Sequence, residues 1–247
     1  MSAAPSLAFT PVSPEEYLAA ERAASFKSEY YQGAVYAMAG ASNAHNLVNL
    51  NAATALNIAL RERDCTVRVS DMRLQVKENG LYTYPDLSVV CGPPQFASDK
   101  YLDTLLNPIV LAEVISRSTG EYDRVGKFIL YKDIPTLRHY LLLESTQPIV
   151  RLATWREPKV WAFDTFEGLA AVVPLPAIGI ELTLADLYRK VPLAGGLGGS
   201  FTRFGQPISP PAVSSPYPLN YQLTPFYCHF CYATARRPGR GRPHRRR

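Results

Sequence analysis

The chain has 247 residues, 47% of them hydrophobic, which is enough for one packed domain of about 200 residues with an extension and excludes a wholly disordered chain. Its net charge of +5 is uneven: residues 195–247 hold eight arginines and no acidic residue, leaving 18 basic against 21 acidic residues before them, so the folded part is no basic nucleic-acid clamp. No apolar run approaches the ~20 residues that span a bilayer, and the N-terminus MSAAPSLAFTPVSPEEY lacks the basic and apolar regions of a secretion signal, so no membrane partner and a cytoplasmic location are expected.

The first element is a helix. Ser13 caps it, Pro14 fits its first turn, Glu16 closes a capping box, and it ends near Ala24. SEYYQGAVYAMA then reads as a hairpin around Gln32-Gly33. Ser42 begins a long helix through Arg63, whose apolar face is expected at Leu47, Leu50, Thr54, Ile58 and nearby alanines. Beyond Asp64 the period shortens. TVRVSD and MRLQVK alternate as strands, Glu78-Asn79-Gly80 is a turn, and LYTYPDLSVVCG is a further strand. Four cysteines make no disulfide framework, and Cys65 and Cys91 are expected as buried thiols. Residues 93–107 read as a loop.

IVLAEVIS is a nearly continuous apolar run, as expected of a strand covered on both faces. Ser118 and Glu121 form a second capping box, opening a helix that stops before Pro135. RHYLLLES is another buried strand, PIVRLATWR and KVWAFDTF a closing hairpin, and Thr183 through Lys190 a short final helix. The order predicts an α/β domain with a mixed sheet and helices on its faces. Composition divides the chain into a domain, 1–194, and a Pro/Gly/Arg-rich tail, 195–247, expected to be largely disordered.

Chemistry concentrates on two strands that each carry one carboxylate. Asp86 follows Pro85 at the start of DLSVV, and Glu113 sits inside the apolar run at 109–115. A buried carboxylate is costly unless a metal, a cation or hydrogen bonds meet it. Two side by side favour a divalent cation, and hard ions such as Mg2+ prefer such oxygen ligands. Lys127 lies fourteen residues beyond Glu113, on the helix that follows directly, in reach of a scissile phosphate or a water. The alternative for Lys127 is a solvated i, i+4 pair with Asp123.

The segments SEYYQGAVYAMAGASNAH, SDMRLQV, LYTYPDLSVVCG, DTLLNPIVLAEVIS, YDRVGKFILYKDIP and HYLLLES, in that order, resemble the Uma-type restriction endonuclease family, a branch of the PD-(D/E)XK nuclease superfamily, over roughly residues 10–192. The resemblance implies a restriction-endonuclease-like fold, a central mixed sheet flanked by helices. It implies an endodeoxyribonuclease that hydrolyses DNA phosphodiester bonds with Mg2+, or Mn2+ in its place; a homodimer is compatible with the sequence, which does not fix the oligomeric state. Asp86 matches the family's Asp after Pro, and Glu113 its Glu in the E-V-x-S strand; both would ligate the metal. Lys127 matches the lysine of a D-x-x-x-K helix and would stand in for the superfamily lysine two residues after the Glu, where this chain has Ile115. Glu29 matches an acidic residue of the N-terminal hairpin and would complete the metal site. Arg117 stands where the family commonly has Pro.

Weaker signals have two readings each. His45 is a substrate contact or a helix-start histidine bonded to backbone; Arg73 and Tyr84 are phosphate contacts or surface packing. Cys228 and Cys231 around His229 suggest zinc, but a structural site needs four ligands. The arginine-rich end is a phosphate binder or a solvated tail. Besides an active endonuclease, a non-catalytic nucleic-acid-binding or scaffold protein keeping the nuclease fold is compatible with the sequence, as is a stable α/β domain whose carboxylates only form ion pairs.

Overall fold

The computed structural model describes residues 10–98, 100–115, 126–157 and 160–193. Arg117, Ser118, Glu121, Asp123 and everything after Leu193, including Cys228, His229 and Cys231, lie outside the described residues. Among the described residues no helix is long and apolar enough to cross a membrane.

Helix α1 (Pro14–Ala23) opens with the expected capping box: Glu16 N–H donates to Ser13 Oγ at 3.2 Å, and Ser13 N–H to Glu16 Oε2 at 2.9 Å. Strands β1 (Ser28–Tyr31) and β2 (Ala34–Ala37) form the hairpin. Its turn puts Gln32 at φ 48° and Gly33 at φ 84°. A Cβ at Gly33 would come within 2.5 Å of Pro11 Cβ, so glycine is needed there for space as well as for conformation.

Helix α2 (Asn43–Leu60) is capped by Ser42 as expected, but its buried face differs from the one read in the sequence. Ala44, Val48, Ala52, Leu56 and Leu60 are buried, whereas Leu50 and Ile58 are 63% and 60% exposed. Two i, i+4 rows of apolar residues compete, and Leu50, Thr54 and Ile58 share their side of the helix with the exposed Asn43, Asn46 and Asn57. The row that enters the core is the one carrying three large side chains, spaced by two alanines that let the helix approach the sheet.

Strands β3 (Cys65–Val69) and β4 (Arg73–Val76) follow. The run LYTYPDLSVVCG is not one strand. It splits at Pro85 into β5 (Leu81–Thr83) and β6 (Leu87–Cys91), which join different sheets; proline cannot donate to a central ladder. The 93–107 stretch contributes a short strand, β7 (Thr104–Leu105), parallel to β4. Cys65 and Cys91 face each other in the β3–β6 register and form a disulfide, which corrects the reading of two free thiols; the spacing of 26 residues carries no pairing signal.

Strand β8 (Val110–Ile115) is buried throughout. Helix α3 (Lys127–Tyr131), β9 (His139–Glu144), β10 (Ile149–Arg156) and β11 (Val160–Glu167) complete the central part. The chain then forms a two-stranded ribbon of β12 (Val172–Leu175) and β13 (Ile180–Thr183), which had no counterpart in the sequence reading, and ends in α4 (Leu184–Leu187), capped by Thr183.

The main sheet has the order β11-β10-β9-β8-β6-β3, mixed because β8 and β9 run parallel. The other is β2-β1-β5-β4-β7. Residues of β8 alternate between two cores. Val110, Ala112 and Val114 enter a cluster with α2 and α4, while Leu111 and Ile115 enter one with Tyr131, Ile134 and Leu137. Glu113 stands in the second row, on the α3 side.

Candidate active site

The β6–β8 ladder pairs Leu87 with Ala112. One step further along that antiparallel register sets Asp86 opposite Glu113, so the two carboxylates stand on neighbouring strands. Asp86 lies at the point where the chain passes from the five-stranded sheet to the six-stranded one. Pro85 breaks pairing there and leaves Asp86 to bond elsewhere. Its Oδ2 accepts the Val114 N–H at 2.8 Å, and its Oδ1 lies 3.0 Å from His45 Nε2. The first turn of α2 supplies that imidazole, so His45 meets the carboxylate.

Glu113 is only 3% exposed. Its Oε1 accepts the Tyr131 hydroxyl at 2.9 Å and lies 3.2 Å from Lys127 Nζ. Burial, then the Glu113 charge, pushes the Tyr131 phenol well above its ordinary range, which keeps it a donor. Lys127 and Tyr131 are one helical turn apart on α3, so the helix presents a cation and a hydroxyl to the same carboxylate. Lys127 is 6% exposed, which excludes the reading of a solvated surface lysine.

Glu29 comes from β1 and is buried. Its Oε1 accepts the Thr83 hydroxyl at 2.6 Å and lies 3.6 Å from Lys127 Nζ. Lys127 thus bridges the acid of one sheet and the acid of the other. The structure brings Glu29 to Lys127, and Asp86 next to Glu113 through Val114. Among the described residues no three His, Cys, Asp or Glu side chains converge as a ready-made metal cage.

Arg73 and Tyr84 belong to a separate buried network. Arg73 Nη2 lies 2.8 Å from Asp103 Oδ2, and the Tyr84 hydroxyl donates to Glu21 Oε1 at 3.0 Å. Burial works to raise Asp103, but bonds from Arg22 and Thr104 and the charges of Arg73 and Arg22 hold its carboxyl below the usual range. Sequence reasoning missed Tyr131 and Thr83. The signal for Tyr131 was its i, i+4 spacing from Lys127; Thr83 had none, because its partner lies in another strand.

Fold and site together define a restriction-endonuclease-like α/β protein. Residues 14–185 match the family described as "Uma2: Putative restriction endonuclease", and the chain belongs to that family. The uncharacterized protein slr1290 of Synechocystis sp. (strain ATCC 27184 / PCC 6803 / Kazusa) is 35% identical over 185 residues, 75% of this chain and 95% of that protein. A second uncharacterized protein of that strain, sll1609, is 39% identical over 130 residues, 53% of this chain and 73% of its own length. The fold is similar to the crystal structure of a putative nuclease belonging to DUF820 from Anabaena variabilis ATCC 29413, with a TM-score of 0.59 at 17% identity, covering 72% of this chain and 98% of that one.

Proposed function

We propose that the chain is an endonuclease that hydrolyses DNA phosphodiester bonds with Mg2+, or Mn2+ in its place. One observation supports this above the others: a carboxylate, Glu113, is buried in an otherwise apolar strand, beside Asp86 and in contact with a buried lysine. A strand serving only the core would avoid that cost.

The donors suit the ion. Mg2+ is commonly held by one or two carboxylates, with water and phosphate oxygens completing its shell. Asp86 and Glu113 would hold it, and when bound it would activate water and stabilise charge on the phosphate. Asp86 is oriented for this from both sides, by the Val114 N–H and by His45. Tyr131 fixes Glu113. Lys127 brings a positive charge to the same place, where it stabilises a phosphate oxygen or orients the attacking water. Glu29, expected from the family resemblance to complete the metal site, is assigned here to holding Lys127, since its carboxylate already meets that ammonium.

The test is incubation of the purified full chain with supercoiled, linear and single-stranded DNA, with Mg2+, with Mn2+ and with chelator. Metal-dependent cleavage that Asp86→Asn and Glu113→Gln each abolish is the expected result. Cleavage that persists in Asp86→Asn overturns the assignment. DNA that is bound but never cut favours a non-catalytic binding protein on the same fold.

A further inference from the structure

The main sheet ends on β11, and among the described residues no strand pairs with its outer side. A sheet edge presents unpaired N–H and C=O groups, and folded proteins blunt it with short strands, charges, proline or a bulge. The other edges here follow that rule. β3, at the opposite end of the main sheet, has five residues and carries Arg68, and the edges of the second sheet, β2 and β7, have four and two. β11 does not follow it. The strand runs for eight residues, Val160–Glu167, without proline or lysine. It pairs with β10 residue for residue, from Arg156 opposite Val160 to Ile149 opposite Glu167, with no bulge. Its exposed side chains include two large apolar ones, Phe163 at 67% and Val160 at 55%.

Two bonds fix which backbone groups of β11 point outward. The Trp155 N–H donates to the Arg138 carbonyl, just before β9, at 2.9 Å, so Trp155 is turned away from β11. The Gly168 N–H donates to the Pro148 carbonyl, also at 2.9 Å. Alternation along the antiparallel ladder then turns Val160, Ala162, Asp164 and Phe166 toward β10, and Trp161, Phe163, Thr165 and Glu167 toward the open edge. Trp161, Phe163 and Thr165 also share one side of the sheet, where the Phe163 ring meets Phe128 edge-on at 5.1 Å.

We propose that β11 pairs antiparallel with β11 of a second copy of this chain, across a twofold axis at Phe163, so that the two main sheets become one. A twofold contact sets a surface against itself, and a strand can bond itself only where outward-turned residues meet outward-turned residues. Centred on Phe163, that condition holds. Phe163 faces the partner's Phe163, and Trp161 faces the partner's Thr165, which gives about six ladder bonds. Val160 faces the partner's Phe166, and Ala162 faces the partner's Asp164, so apolar groups meet and no like charges are opposed. A centre one residue later also matches outward groups, but it sets Asp164 against the partner's Asp164, which is unfavourable. At one bond per 100–200 Å², about six bonds go with roughly 600–1,200 Å² of buried surface, the lower end for a specific complex. The dimer is therefore expected to dissociate in the micromolar range. Glu113, on β8, lies three strands from the contact, so each copy keeps its own site.

The test is sedimentation equilibrium of the full chain from roughly 5 to 500 µM. Wild type is expected to pass from monomer to dimer over that range. Phe163→Lys, which opposes two ammonium groups at the axis, is expected to weaken the dimer at least about tenfold. Thr165→Pro removes an N–H that points to the open edge and costs β11 no bond to β10, so it should block the dimer while circular dichroism stays that of wild type. Cysteine pairs read the register. With Cys228 and Cys231 changed to serine, Phe163→Cys is expected to form an interchain disulfide with oxidised glutathione, because residues opposed in a hydrogen-bonded pair lie about 5.5 Å apart at Cα. Thr165→Cys, whose opposite number is the partner's Trp161, is not. A monomer at every concentration overturns the proposal and leaves the edge to a strand of another protein. A dimer that survives both Phe163→Lys and Thr165→Pro overturns it as well, since the contact is then elsewhere. Cross-linking by Thr165→Cys in place of Phe163→Cys overturns the register.

Discussion

Lys127 and Glu113 depend on each other. Each is buried, and removing one leaves the other's charge in the core. Lys127→Ala is therefore expected to lose about 3–5 kcal/mol of stability, the usual cost of breaking a buried pair from one side. It should also gain more stability from Mg2+ than wild type does, because a divalent ion would replace the missing charge. Urea melts with and without Mg2+ check this; a variant as stable as wild type would show that the pair contributes little. His139 offers a second test. Its Nε2 accepts the Ala177 N–H at 3.1 Å, and its Nδ1 lies 3.3 Å from Thr154 Oγ1, an arrangement that needs the neutral ring. Burial depresses its pKa to about 4 from the ordinary 6.5. The unfolded chain therefore takes up a proton below pH 6.5 that the folded chain refuses until about pH 4. The stability contribution is full above pH 6.5 and falls as pH drops through that window, by roughly 3 kcal/mol in all. His139→Asn is expected to flatten this part of the stability profile between pH 7 and pH 4. A variant that loses as much on acidification as wild type would rule out this histidine as the cause.

Helix α2 shows what sequence pattern resolves and what it leaves open. Its start was set by Ser42, whose hydroxyl accepts the His45 N–H at 3.2 Å, and local capping chemistry is readable without the fold. Its buried face was harder to read, because large apolar side chains stand on two rows and only Asn43, Asn46 and Asn57, beside Leu50 and Ile58, mark the side that faces water. The choice is measurable. Leu56→Ala should cost about 2–5 kcal/mol, as a large-to-small change in a core does, whereas Leu50→Ala and Ile58→Ala should stay within about 0.5 kcal/mol. Equal losses at Leu56 and Ile58 would contradict the observed packing. The same limit explains the rest. The capping box of α1, the hairpin turn at Gln32-Gly33 and the continuous apolar run of β8 are local signals, and the structure contains all three. Asp86 and Glu113 stood out because a carboxylate in or beside an apolar strand is costly. The contact between Lys127 and Glu29 was hidden, since it joins residues that no periodicity relates.

The site draws on both sheets: Glu29 and Thr83 from one, Glu113 from the other, and Asp86 at the crossing between them. Its geometry therefore depends on the whole domain being closed, and the closing piece is α4. Leu184, Leu187, Tyr188 and Val191 are buried in the cluster that also holds Val110, Ala112 and Val114 of the Glu113 strand. The Tyr188 hydroxyl donates to the Ile149 carbonyl at 2.8 Å, and Asn51 Nδ2 donates to the carbonyls of Leu187 and Arg189 at 3.1 and 2.9 Å. Residues 195–247 have a different character. They are rich in Pro, Gly and Arg and lack the apolar periodicity of a core element. Two truncations separate these parts. A chain ending at residue 194 is expected to keep the thermal stability and cleavage activity of the full chain, whereas one ending at residue 182 loses four buried side chains, each worth about 1.5–3 kcal/mol, and should not fold cooperatively. If ending the chain at residue 194 weakens DNA binding, the lost affinity should be steeply salt-dependent, because the eight arginines would act through phosphates. A marked drop in melting temperature on ending the chain at 194 would show that the tail completes the domain.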